Sequence, residues 1–337
     1  MHRLLPVAAA LALAALAGLA NAAPPPPAPL FKLLRTLPLP GVEGRIDHLA
    51  LDAVEKRLVV AALWSNTVEV LDLEKGTVEH TLRGLAEPQG VVILPETGRI
   101  AVTCGEDGSL RFFDGRTFAA AGRVDLGADA DNLRLEAETG RLVVGFGSGG
   151  LAFVRDGQVA AKAPLEAHPE SFQLAAKDAR IFVNVPRAGH VAVVDRKLAR
   201  VIAKWPLREA SDSYPMAFDE ERQRLLVGCR TPARLLVIDT DPSSPNAGKA
   251  VAAIPISGDV DDIWIDAPAK RIYLSCGEGF VDVVEQADAD RYTRLGQVPT
   301  AAGARTSLFA PASGRLYVAV PHKGTQAAEV RIYSVKP

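Results

Sequence analysis

A basic residue followed by aliphatic β-formers recurs along this chain, and the spacing of that pattern sets the architecture. Its first full instance is Arg57-Leu58-Val59-Val60-Ala61-Ala62, and the same start returns at Arg99-Ile100, Arg141-Leu142, Arg180-Ile181, Arg224-Leu225, Arg271-Ile272 and Arg315-Leu316. Successive arginines are 42, 42, 39, 44, 47 and 44 residues apart. A unit of roughly 40–45 residues built from short apolar strands has the length of one four-stranded propeller blade.

Within each unit the polar positions punctuate the apolar ones. An apolar strand A, such as His48-Leu49-Ala50-Leu51-Asp52 or Asp262-Ile263-Trp264-Ile265-Asp266, leads through an acidic or Gly-containing turn to the arginine and strand B. A Gly- or Pro-containing loop follows, then a strand C such as Val68-Glu69-Val70-Leu71-Asp72. Asp72, Asp114, Asp156, Asp195 and Asp239 each lie 15 residues after their arginine, where an Asp that bonds its own backbone starts a turn to strand D. The seventh unit ends at strand C, Glu329 to Tyr333, while Leu33 to Leu39 precedes the first strand A and has the strand D pattern. The sequence therefore predicts an all-β, seven-bladed β-propeller, four antiparallel strands per blade, in which the N-terminal strand completes the last blade and hides the open edges.

The signatures Arg57-Leu58-Val59-Val60, Arg271-Ile272-Tyr273-Leu274 and Arg315-Leu316-Tyr317-Val318, each followed by a polar loop and a strand C of the Val-Asp-Val or Val-Ile-Asp kind, resemble the YVTN-repeat, YncE-like periplasmic propellers. The resemblance runs from about Leu30 to the end, although no blade carries the Tyr-Val-Thr-Asn tetrapeptide intact. It implies a seven-bladed binding scaffold; propellers of the same shape also include lactonases and a streptogramin lyase.

Composition adds a compartment and removes some partners. His2 and Arg3 precede an uncharged run from Leu4 to Ala20, and Ala20-Asn21-Ala22 supplies small residues for a peptidase. Residues 1–22 read as a cleavable signal peptide, 23–29 as a Pro-rich tether and 30–337 as the propeller, which places the mature protein in the periplasm or outside the cell. An uncleaved anchor is the rival reading, but the run is Ala-rich and short for a span of roughly 20 residues. Cleavage removes Arg3 and no acid, so 37 bases face 40 acids and the mature net charge is −3. That balance disfavours nucleic acid and anionic membranes as general partners. The expectation is a monomer with no membrane span after cleavage, whose partner is a small molecule or a periplasmic protein at the channel mouth.

The register locates that mouth. Ten residues before each arginine stand Asp47, Gln89, Asp131, Glu170, Tyr214, Asp261 and Arg305; nine before stand His48, Gly90, Asn132, Ser171, Pro215, Asp262 and Thr306. Strand A lines the channel of a propeller, so these positions and the B–C loops share one rim, and the ligand-binding candidates are Asp47, His48, Trp64, Gln89, Asp131, Asn132, Glu170, Tyr214, Asp261, Asp262 and Arg305. Asp and Asn are also ordinary turn residues, which is the plainer explanation of the same pattern. His48, His168, His190 and His322 all fall in segments assigned to the rim.

Three chemistries compete there. A binding scaffold needs only the polar concave mouth. A hydrolase or lyase acting on a lactone-like or anionic molecule would use His48, Asp47, Arg305 and His322, with Arg305, Arg230 and Lys323 as an anion clamp. A divalent cation would draw on Asp47, Asp261, Asp262 and His48, each from separate positions without tight ligand spacing. Binding is the leading reading, because no catalytic motif is assembled in the sequence. Cys104, Cys229 and Cys276 each stand five residues after an arginine, a packed strand B position, which argues against disulfides. Gly145 to Gly150 reads as a B–C hairpin and not as a nucleophile elbow.

Overall fold

The computed structural model describes residues 29–54 and 56–335; the segments expected to be a signal peptide (1–22) and, but for its last residue, a tether (23–29) lie outside them. Seven four-stranded antiparallel sheets form seven blades arranged in a ring. In blade one the strands are A (Leu49–Asp52), B (Arg57–Ala62), C (Thr67–Asp72) and D (Thr77–Leu82). Blades two to six repeat that order, and in blade seven the strands run Ser307–Ala310, Arg315–Val320 and Glu329–Ser334, with Lys32–Pro38 as strand D. The N-terminal strand pairs antiparallel with the last one, Lys32 opposite Ser334 and Leu37 opposite Val330, so the predicted closure holds one residue earlier than Leu33–Leu39.

The arginines that mark the repeat occupy equivalent stations. Each opens strand B, opposite the last residue of strand A in six blades: Asp52–Arg57, Leu94–Arg99, Glu136–Arg141, Asp219–Arg224, Asp266–Arg271 and Ala310–Arg315. Several reach into the next blade. Arg57 donates to Gly115 O at 3.0 Å, Arg180 to Thr240 O at 2.6 Å, and Arg224 to the Asp290 carboxylate at 2.8 Å. A guanidinium suits this work because its fixed fork satisfies several acceptors at once.

Strands B and C are buried on both faces and therefore read as continuous apolar runs, whereas strand D has one wet face. Arg200–Pro206, strand D of blade four, alternates exposed and partly buried residues along its whole length. Seven apolar clusters fill the ring, each shared by two neighbouring blades; one joins Leu37 and Val330 of blade seven to Leu58 and Leu71 of blade one. The ring edge is further fastened by Arg35, which donates to Leu73 O at 2.9 Å and Lys75 O at 2.6 Å in the C–D turn of blade one.

The C–D aspartates behave as expected in four blades. Asp72, Asp114, Asp195 and Asp239 each accept backbone N–H groups from residues two or three positions on. Asp156 differs. Strands end at Arg155 and resume at Gln158, so Asp156-Gly157, with φ of 50° and 73°, forms a two-residue hairpin turn of the Asp-Gly kind. The three cysteines are free and buried, at matching strand B positions.

Candidate functional site

The register ten residues before each arginine converges at one end of the channel. A cavity of about 670 Å³ opens there, lined by Gln89, Asp131, Glu170, Tyr214, Asp261 and Arg305 of that register. Its seventh member, Asp47, lies just beneath, in a narrow throat shared with Asp131, Glu170, Tyr214 and Asp261. The next register faces a different level. His48, Asn132 and Ser171 reach the throat, while His48, Ser171, Pro215 and Asp262 line the inner channel of about 360 Å³ with Trp264 and Arg134. The strand A ladder is irregular at these positions, and in blades one, three and four both neighbours reach the throat: Asp47 with His48, Asp131 with Asn132 and Glu170 with Ser171.

One wall of the mouth is an ion-pair lattice. The Asp261 carboxylate accepts from Arg230 Nη2 at 2.6 Å and pairs with Arg305 Nε at 3.0 Å. Asp259 accepts from Arg305 Nη1 at 2.9 Å and lies 3.3 Å from Arg230 Nη2, so two acids and two arginines share a single network. The Arg230 guanidinium also sits 3.8 Å over the Tyr214 ring, a cation–π contact that fixes the phenol. Gly277 makes room for this: a Cβ there would stand 2.0 Å from Asp259 Oδ2. Burial pushes the Asp261 carboxyl upward, against the pull of Arg305 and Arg230.

The facing wall, from blades three and four, is acidic and less fully paired. His168 Nδ1 lies 2.6 Å from Gly147 O and 3.3 Å from Asp129 Oδ2, and its Nε2 is 3.6 Å from Asp131 Oδ2. Burial opposes a charge on this imidazole, but Asp131, the Gly147 carbonyl and Asp129 outweigh it and lift its pKa to about 9. Glu170 makes no hydrogen bond through its carboxylate among the described residues. Its pKa is pushed up to about 8 by burial first and by the Asp131 charge next, with His168 pulling the other way. Beneath it, Arg45 pairs with Asp47 at 3.2 Å, and Asp47 leads the charges that hold its guanidinium protonated.

Several expected site residues fall elsewhere. His322 pairs with Glu43 at 2.6 Å and does not line the mouth. Lys323 is bridged through its backbone to Gln326, outside the cavity lining. Trp64 lies over Gly44 in a short 3-10 turn, 69% exposed, and forms no wall of the cavity. His190 is buried at the start of a strand C, with Nδ1 3.1 Å from Ala188 O. Trp264, in strand A of blade six, donates to Ser307 Oγ at 3.0 Å.

Of the residues expected to serve catalysis, His48 and Asp47 are neighbours without a hydrogen bond, and Arg305 stands apart from both. His48 Nε2 stands 4.0 Å from Asp47 Oδ1, beyond hydrogen-bond distance, and Arg305 is held by Asp259 and Asp261 one level above it. The three carboxylates named for a cation also part company. Asp47 turns to Arg45, Asp261 to Arg230 and Arg305, and Asp262 accepts the Ser307 N–H at 2.6 Å. Burial brings the Asp262 carboxyl up to about 7, His48 and the Ser307 N–H opposing. Among the described residues no three His, Cys, Asp or Glu side chains gather in a metal-binding group.

A second ring escaped the register argument. Twelve residues before each arginine stand Arg45, Glu87, Asp129, His168, Asp212, Asp259 and Gly303. Arg45, Asp129, His168 and Asp212 line the mouth, and Asp259 anchors its arginines. Five of the seven, Glu87, Asp129, Asp212, Asp259 and Gly303, have φ between 39° and 82°. Counting two residues further back from the same arginines finds this ring from sequence alone.

No family model matches the chain, and no curated protein matches it. Among solved structures it is similar to a chain of the hydrazine synthase of Kuenenia stuttgartiensis, with a TM-score of 0.74 and 13% identity over 86% of this chain and 97% of that one. A chain of the mitotic checkpoint complex gives 0.74 and 14%, covering 96% and 98%. The β-propeller domain of Cps50 (Swd1) from Myceliophteria thermophila gives 0.68 and 11%, covering 90% and 99%. At these identities the likeness is one of fold. Among the described residues no helix is long and apolar enough to cross a membrane.

Proposed function

We propose that this chain is an exported binding scaffold of the YVTN-repeat, YncE-like kind, whose propeller presents a small polar ligand site at one mouth of the channel. The observation that carries the reading is the convergence of the residues ten and twelve before the strand B arginines on one cavity of about 670 Å³. That volume lies within the range of roughly 300–1,000 Å³ typical of small-molecule sites. Its arginine wall is held in place by Asp259 and Asp261, which supports a site shaped before the ligand arrives. The export half of the reading rests on the leader pattern of residues 1–22.

The test is a thermal-shift screen of the purified chain against sugars, amines, carboxylates and divalent ions, repeated on an Asp131→Asn variant. A ligand bound at the mouth raises the melting temperature of the parent chain progressively with its concentration above Kd and loses most of that effect in the variant. Ligands whose stabilisation is unchanged by Asp131→Asn and by Tyr214→Ala bind elsewhere, and a panel composed only of such ligands overturns the proposal.

A further inference from the structure

The binding reading leaves the throat below the mouth unassigned, and its atoms specify an occupant more narrowly than the mouth does. The constriction measures about 20 Å³ and is lined by Arg45, Asp47, Asp131, Asn132, Glu170 and Asp261, among others. A space of at least about 10–15 Å³ on this measure holds one water-sized group and no more than a few. A terminal –NH3+ has that size, whereas a planar guanidinium is broader.

Asn132 is the independent witness. It is 4% exposed, lines the throat, and its Oδ1 is buried without a hydrogen-bond partner. A buried acceptor left unmet is costly, so the site calls for a donor. Glu170 beside it also makes no hydrogen bond through its carboxylate among the described residues. Four carboxylates face one guanidinium around the throat, and that guanidinium is already paired with Asp47. An anion there would be repelled. A cation bearing several N–H donors would satisfy both open acceptors at once.

One further atom shapes the rest of the ligand. Arg45 Nε is buried and lacks an acceptor, and Arg45 borders both the throat and the mouth. An oxygen on the carbon next to the ammonium-bearing carbon would meet it from the mouth side. We infer that the throat recognises the primary ammonium of a small amine carrying an adjacent oxygen, with Asn132 Oδ1 and Glu170 accepting its N–H donors and Arg45 Nε donating to its oxygen. This rests on the mouth being a binding site and names the class of molecule that enters it.

Glu170 supplies a readout that simple filling of the cavity would not move. Asp131, Asp261 and Asp47 raise its proton affinity and His168 lowers it, leaving the empty throat with a protonated carboxyl near neutral pH. An entering ammonium displaces that proton to the buffer, so binding releases a proton. Calorimetry of the purified chain with ethanolamine, ethylamine and ethylene glycol at pH 7, in two buffers of different ionisation enthalpy, measures both affinity and proton release.

Ethanolamine is expected to bind at least about tenfold tighter than ethylene glycol, from hydrogen bonds to a charged group. Glu170→Gln is expected to weaken it about tenfold and to abolish the proton release, and Asn132→Leu to weaken it without abolishing that release. Ethylene glycol binding as well as ethanolamine, or Glu170→Gln leaving affinity and proton release intact, overturns the ammonium; ethylamine matching ethanolamine overturns the oxygen. A sugar or carboxylate that binds instead, and is lost on Asp131→Asn, overturns the amine while keeping the mouth as a binding site. If no molecule of either panel binds, both readings fall.

Discussion

Across the mouth, Asp261 and Glu170 are equivalents: both stand ten residues before a strand B arginine, in blades six and four. Asp261 is spanned by Arg230 and Arg305, while Glu170 faces the cavity with no hydrogen bond to its carboxylate among the described residues. The same station in the repeat thus serves two purposes. A partly buried acid with two guanidinium partners is a structural joint, because removing it leaves two charges facing each other with little water to screen them. A partly buried acid without one raises the energy of the empty site and returns that energy to whatever cation binds.

Breaking the paired wall has the largest expected effect. Asp261→Asn leaves Arg230 and Arg305 with Asp259 alone and is expected to lower unfolding free energy by about 3 kcal/mol, read from the midpoint of urea denaturation. A shift below about 0.5 kcal/mol would show the lattice to be a surface decoration.

The open wall should respond in the opposite sense. Glu170 titrates near 8 in the fold against 4.5 ordinarily, so the folded state binds the extra proton between those values. Its contribution therefore makes stability fall as pH rises through that window, and Glu170→Gln is expected to recover on the order of 2 kcal/mol at pH 8 relative to pH 5. Urea curves across that range check it; parallel pH profiles for the two proteins would rule it out.

His168 extends the slope upward. Its pKa of about 9 exceeds the ordinary 6.5, so its stabilisation is complete below 6.5 and fades as pH climbs through 9. Asp131→Asn removes a principal cause and is expected to lower that pKa by at least about one unit, measured by NMR titration of the imidazole. An unmoved titration would assign the shift to Asp129 and the Gly147 carbonyl instead. The smallest effect is expected of Trp64→Ala, which belongs to neither wall: a stability change within about 0.5 kcal/mol and unchanged ligand stabilisation in the thermal-shift screen. Loss of ligand response there would enlarge the site beyond the cavity.

How much of this was legible depended on how local the cause was. The ring, its closing strand and the mouth register follow from a repeat visible in the apolar pattern, and Arg57, Arg180 and Arg224 recur because each latches the next blade. The partnering of Asp261 and the isolation of Glu170 depend on side chains from other blades, tens of residues away in sequence. Register alone also grouped His48 and Asp262 with the mouth, although both line the channel below, where the strand A ladder is irregular. His322 and Trp64 were assigned by proximity of their loops, which fixes a neighbourhood and leaves side-chain direction open. The second ring at Arg45, Asp129 and His168 was within reach of the sequence, since it stands at a constant distance of twelve residues before the same arginines.

The closing strand has a consequence for orientation. The mouth lies where strands A begin and where B–C loops such as Gly147 and Ser148 turn, so each strand D starts at the opposite end of its blade. Lys32 opens such a strand on the outer edge of blade seven. Ahead of it Phe31 packs on Tyr273 and Leu30 lies beside Gly296, so the described chain joins the ring along the outer seam between blades six and seven and leaves the open cup clear of its own leading segment.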